Sequence, residues 1–226
     1  MTVCNKQDKD MSYKALNEKK SNVKCVVVGD AMVGKTSLSR RLACLGFAQD
    51  YNPTTFDNYA VTTTMGGKSY VISLFDTAGQ EEYIHLRALS YVNSDVFLLC
   101  FSVAMPESLR DAQDKWIAEI RQYSPDTPII LVGTQIDLRD EPPPPPAQRL
   151  RSGSRRESCK STKGAPVFIS TKEGAYVATK LNLDSYVECS SVTEAGITRL
   201  REAAIESGLR KVEPDESGCH CACSIV

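Results

Sequence analysis

At 226 residues, with 42% hydrophobic and 24% charged residues, the chain has ordinary globular balance and the length for one α/β domain with appendages. No apolar run is long enough to span a membrane, and the lysine-rich opening, residues 1–20, lacks the apolar core of a secretory signal. The net charge of −1 hides two basic appendages on an acidic body, one at residues 1–20 and a stronger one at residues 142–164.

The first apolar run, residues 23–28, is rich in valine and halts at Gly29. Gly29-Asp30-Ala31-Met32-Val33-Gly34-Lys35-Thr36-Ser37 follows, and residues 38–43 then show helical apolar spacing. Strand, loop and helix in that order around GxxxxGK[ST] form the pattern of a phosphate-binding loop. Backbone N–H groups of a tight, glycine-containing loop can converge on a bound phosphate, with the positive end of the helix behind them. Lys35 adds a mobile charge for the β- and γ-phosphates, and the Thr36 hydroxyl is placed to ligate Mg²⁺. The pattern also arises by chance, so the motifs downstream decide its meaning.

The helix is expected to end near Gly46, and residues 47–59 read as an exposed loop of turn formers, hydroxyls and aromatics. Residues 60–65 and 69–75 read as strands of a hairpin turned by Gly66-Gly67. The second strand runs into Asp76-Thr77-Ala78-Gly79-Gln80. There an acidic residue can hold Mg²⁺ through water, and Gly79 leaves an N–H free to approach a phosphate. Residues 96–101 and 129–132 are short apolar runs suited to strands buried on both faces. Between them, residues 106–123 read as a helix carrying Glu107, Asp111, Asp114, Glu119 and Arg121 among Leu109, Trp116 and Ile120. Such alternation implies a parallel sheet wound on both sides. Two further loops, Gly133-Thr134-Gln135-Ile136-Asp137 and Cys189-Ser190-Ser191, follow strands at 129–132 and 186–188. They fall at the ligand-binding edge of an open α/β sheet.

As a set, these motifs resemble the small GTPases of the Ras superfamily, and within it the Rho family, over residues 23–208. The Rho branch is suggested by Tyr51-Asn52-Pro53-Thr54-Thr55-Phe56-Asp57-Asn58-Tyr59, by Trp116 and by an insert after Asp140. The resemblance implies a P-loop NTPase fold, a Ras-like G domain with a mostly parallel six-stranded sheet and helices on both faces. It also implies GTP and GDP as ligands, with Mg²⁺ held by Thr36, by Thr54 and, through water, by Asp76. The phosphates would be cradled by Gly29, Ala31, Val33, Gly34, Lys35, Thr36 and Ser37, with Thr54 sensing the γ-phosphate and the N–H of Gly79 free to approach a phosphate. Gln80 matches the residue that orients the attacking water. Asp137 matches the carboxylate that pairs with guanine, Thr134 and Gln135 stand in its motif, Phe47 would pack near the base, and Ser190 and Ser191 would brace the guanine loop. Effectors, exchange factors and GTPase-activating proteins would bind the switch segments at 51–59 and 76–83, and no nucleic-acid partner is implied. The domain limits so read are an N-terminal arm at 1–21, a G domain at 22–208 with an insert at 141–165, and a tail at 209–226.

Two departures stand out. The family's common Asn-Lys-x-Asp is here Thr134-Gln135-Ile136-Asp137, a variation that some Rho members resemble, and Ala31 replaces a usual glycine, with a bulky Met32 beside it. Trp116 reads as packing, with a regulator surface as the alternative. Cys25, Cys44, Cys100 and Cys189 read as inert fillers, and His85 as solvated. Pro142 to Pro146 favour a polyproline II linker or, alternatively, a ligand for SH3-type modules. The ending Cys223-Ser224-Ile225-Val226 fits C-a-a-X prenylation, with Cys219 and Cys221 as candidates for palmitoylation; a metal site is the rival reading of the three. Lipidation implies residence on the cytoplasmic face of the plasma membrane or endomembranes. Nine cysteines without framework-like spacing point to a reducing compartment.

Overall fold

In a computed structural model, residues 21–47, 56–139 and 167–210 are described. Six strands form one sheet in the order β2-β3-β1-β4-β5-β6: β1 (Asn22–Gly29), β2 (Phe56–Met65), β3 (Lys68–Thr77), β4 (Val96–Ser102), β5 (Ile129–Thr134) and β6 (Ser185–Glu188). Only β2 and β3 pair antiparallel; every other neighbouring pair is parallel. Their turn consists of Gly66 and Gly67, both at positive φ, which the twist of a two-residue hairpin demands. The hairpin ladder runs from Met65 opposite Lys68 down to Asp57 opposite Asp76 and Phe56 opposite Thr77.

Helices cover both faces, as the alternation of the central strands requires. Val23, Cys25 and Val27 of β1, with Leu98 and Cys100 of β4, point to one side. Helix α1 (Lys35–Leu42) and helix α6 (Ile197–Arg210) cover them through Leu38, Leu42, Leu200 and Ala204. Val26, Val28, Phe97, Leu99 and Phe101 point to the other side. There they meet helices α2 (Ile84–Tyr91), α3 (Pro106–Asp111), α4 (Ile117–Tyr123) and α5 (Thr171–Lys180). A π-helical segment, Ala112–Trp116, joins α3 to α4 without a break.

Several boundaries depart from the sequence reading. Helix α1 stops at Leu42 rather than near Gly46, because Cys44 itself adopts the left-handed conformation at φ 60°. The N–H of Leu45 then returns to Arg40 O and that of Cys44 to Arg41 O, a closure usually built on glycine. Cys44 is consequently exposed and not a buried filler, whereas Cys25, Cys100 and Cys189 are buried. Burial pushes the Cys189 thiol up to about 12 and raises the other two as well. Residues 56–59, read as loop, open β2 because their backbone pairs with β3. The arm, Thr54, the proline run, the insert and the cysteine tail lie outside the described residues.

Candidate functional site

The P-loop follows β1 and leads into α1 with Gly34 at its N-cap, φ 88°. Lys35 is buried, and its ammonium donates to Asp30 O at 2.6 Å, closing the loop on itself. Burial lowers its pKa, an effect that Cys100, Asp76 and Asp30 partly offset. Thr36 Oγ1 donates to Asp76 Oδ2 at 2.6 Å across from the end of β3. The other oxygen of Asp76, Oδ1, is buried without a hydrogen-bond partner among the described residues. Burial raises the Asp76 carboxyl to about 6, against the lowering pull of the Thr36 hydroxyl and Lys35. A buried, unpartnered carboxylate oxygen is costly on its own, and next to a hydroxyl it is the kind of donor that a hard cation such as Mg²⁺ takes. These residues therefore fit the ion that the motif implies.

Gly79 follows at a distance that admits no side chain: a Cβ there would stand 2.5 Å from Ala31 N. The backbone of the segment carrying Gln80 thus rests on the P-loop at the residue that departs from glycine. Gln80 is exposed, and so is His85, in keeping with its reading as solvated.

The loop after β5 is fastened to the P-loop by side chains. Thr134 Oγ1 lies 2.6 Å from Val33 O and 2.8 Å from Phe101 O, and Gln135 Nε2 donates to Met32 O at 3.3 Å. Ser102 Oγ fixes the amide of Gln135 by donating to its Oε1. The Thr134-Gln135 pair thus ties this loop to the P-loop through a hydroxyl and a carboxamide. Asp137 sits half-buried on a short 3₁₀ turn, Ile136–Arg139, and its carboxylate makes no hydrogen bond among the described residues. Ser190, fully buried, organises the neighbouring loop by accepting from the N–H groups of Val192 and Thr193 at 3.1 Å each. Cys189 N donates to Gly133 O at 2.8 Å, which draws the two loops together. Phe47 is partly exposed beyond α1. P-loop, Asp76, Gly79, Thr134, Gln135, Asp137, Ser190 and Ser191 all stand along the carboxyl edge of the parallel strands.

A family model described as the Ras family matches residues 24–209. This chain belongs to the Ras family. Membership brings the small-GTPase activities, binding of GTP and GDP and hydrolysis of GTP, and accounts for the mostly parallel six-stranded sheet.

One group that supports the site has no motif. Arg87, on the inner face of α2, is buried and forks onto Glu119 of α4, with Nε to Oε1 and Nη2 to Oε2, both at 2.8 Å. Its Nη1 donates to the carbonyls of Ala78 and Gln80 at 2.9 and 3.0 Å, holding the backbone around Gly79 from beneath. Tyr91 adds a hydrogen bond to Glu119, and burial together with that carboxylate raises the phenol's pKa. The Arg87 guanidinium lies 4.7 Å from the ring of Trp116, whose indole N–H donates to Asp30 Oδ1 at 2.8 Å. Trp116 is fully enclosed, so the regulator-surface alternative falls: it ties the P-loop to the π-helical segment ahead of α4. In the sequence, the signal was a charge between Trp116 and Ile120 on an otherwise apolar helix stripe.

Removing one partner of a buried, bidentate pair leaves an uncompensated charge in the interior. Glu119→Ala is expected to lower unfolding stability by about 3–5 kcal/mol. Urea titration checks this; a loss below about 1 kcal/mol, the range of an exposed pair, would show that Arg87 finds other partners.

Proposed function

We propose that the chain is a Rho-like guanine-nucleotide switch that presents its switch segments to effector proteins while GTP is bound. The observation that carries the nucleotide reading is the fastening of the Asp137 loop to the P-loop through Thr134 and Gln135. It sets a carboxylate with no hydrogen-bond partner among the described residues on the same edge as a phosphate cradle. In this reading Asp137 accepts two hydrogens from guanine, a pair that adenine does not offer. Phe47 lies by the base, and Ser190 and Ser191 shape the guanine loop. Lys35 and the loop N–H groups from Gly29 to Ser37 hold the phosphates. Thr36, Thr54 and, through water, Asp76 would hold Mg²⁺, which would supply charge neutralisation to the phosphates. Gln80 orients the water, and Arg87 keeps the backbone of Gln80 in register through its carbonyl. The Rho assignment rests on the residues around Phe56-Asp57-Asn58-Tyr59 and on Trp116. The three-cysteine tail, with Cys223 prenylated and Cys219 and Cys221 acylated, would hold the protein at the cytoplasmic face of a membrane, since one lipid chain binds only weakly.

Ala31 favours a second reading, a GTP-bound scaffold with blunted hydrolysis. Gly79 rests on the backbone of Gly29, Asp30 and Ala31, so the exposed residue that departs from glycine belongs to the stretch of P-loop against which the segment bearing Gln80 packs. Positioning dominates phosphoryl transfer, and an activator's arginine contributes about 10³ to 10⁵ in rate, so a methyl-sized intrusion there has room to matter.

Freshly purified protein is expected to carry guanine nucleotide by chromatography, weighted toward GTP; adenine nucleotide would sink the assignment. Asp137→Asn should weaken GTP and shift preference toward xanthine nucleotide, since the carboxylate becomes an amide; unaltered GTP affinity refutes the role of Asp137. Ala31→Gly should accelerate activator-stimulated hydrolysis at least tenfold, about 1.4 kcal/mol of barrier, and equal rates would mean that the methyl group is tolerated. Cys223→Ser should move the protein from the membrane to the soluble fraction, and retention on membranes would place the anchor elsewhere.

A further inference from the structure

The guanine-side loop is held from outside by a cation that belongs to the phosphate-side helix. Arg41, in the last turn of α1, donates from Nε to Ser191 O at 2.8 Å and from Nη1 to Glu194 Oε1 at 2.7 Å. The Arg41 side chain is only 17% exposed, whereas Glu194 is 64% exposed, so the bond to the Ser191 carbonyl is the stronger arm and the ion pair the weaker. The loop it grips is folded on itself: Ser190 Oγ accepts from Val192 and Thr193, and Ser190 N donates to Ala195 O. Its tip at Glu194 takes a positive φ of 65°. Arg41 is in turn anchored. Arg201 of α6 donates from Nε to Leu42 O and from Nη2 to Arg41 O, both at 3.0 Å, satisfying carbonyls that a helix end otherwise leaves open.

From this arrangement we infer that Arg41 is a positioning residue for nucleotide retention. It is a strut between the helix whose first turn holds Lys35 and Thr36 and the loop, Ser190 and Ser191, that shapes the base site. With the strut in place the two ends of the nucleotide site keep a fixed separation. Without it, the base loop can open while the P-loop stays formed, and the nucleotide leaves base first. The inference rests on the guanine-nucleotide reading above and adds the residue that sets the release rate.

The test is the dissociation rate of a fluorescent GDP analogue, chased with excess unlabelled GDP, for the full chain. Arg41→Ala should release it about tenfold faster, the equivalent of about 1.4 kcal/mol. Arg41→Lys keeps a charge but loses the fork, and should recover part of the loss, at about threefold. Glu194→Gln should change release by about twofold or less, since it removes only the exposed arm. The preference for GDP over inosine diphosphate, which lacks the 2-amino group, should narrow in Arg41→Ala, an outcome that general destabilisation does not produce. Parental release and parental base preference in a folded Arg41→Ala protein overturn the strut. If that variant does not fold, Arg41→Lys releasing at the parental rate overturns it instead. A parent chain that retains no guanine nucleotide overturns the nucleotide reading itself, so the two failures are distinct.

Discussion

The structure hangs on a buried ion pair that few packing arguments would choose. Taking Arg87 and Glu119 out of water carries a large desolvation cost, and an apolar pair of similar volume would often be as stable or better. The return lies in directionality. An arginine fork has five donors in a fixed plane, and here two meet Glu119 while Nη1 reaches the carbonyls of Ala78 and Gln80. No apolar residue could fix two backbone carbonyls on either side of Gly79. Trp116 extends the same group to Asp30 in the P-loop, so the P-loop and the segment after β3 are braced from one place under the sheet edge.

The ligand-binding edge itself is electrostatically unfinished. Lys35 is buried with its charge turned onto the carbonyl of Asp30, and Asp76 is buried with one oxygen unclaimed. Burial acts on them in opposite directions, lowering the lysine and raising the carboxyl. Each would be relieved by a partner of opposite sign, an anion for the first and a cation for the second. A phosphate with its accompanying divalent ion would supply both, to a base at the start of α1 and an acid near the end of β3 that stand at the same sheet edge. Small GTPases are built around this complementarity.

How far the sequence revealed this depends on whether a feature is local. The P-loop, the strand ends at Asp76 and Asp137, the Gly66-Gly67 hairpin and the winding of the sheet were legible because each rests on spacing within a few residues. The end of α1 was not, because a cysteine took the left-handed position where glycine was expected, a choice stabilised by the bonds from Leu45 and Cys44 to the preceding turn. The start of β2 was hidden because its residues are mostly exposed and are ordered by backbone pairing to β3, which leaves no apolar rhythm. Helices α2, α5 and α6 carry no ligand motif, and residues that meet across large separations, such as Arg87 with Glu119 or Arg41 with Ser191, leave no periodic trace. Glu119 stood out only as a charge between Trp116 and Ile120, and its partner Arg87 lies on another helix.

The register of the β2–β3 hairpin has a mechanical consequence. At its lower end Phe56 faces Thr77 and Asp57 faces Asp76, so the segment that follows Thr54 and the segment that leads to Gln80 leave the sheet from the same rung. Their roots cannot slide independently, because a shift of one strand along the other breaks every bond of the ladder above it and turns each side chain to the opposite face. The start of β2 and the end of β3 therefore share one hinge line, like two leaves on a single pin. A displacement of the β3 end at Asp76 therefore reaches Asp57 across one strand spacing.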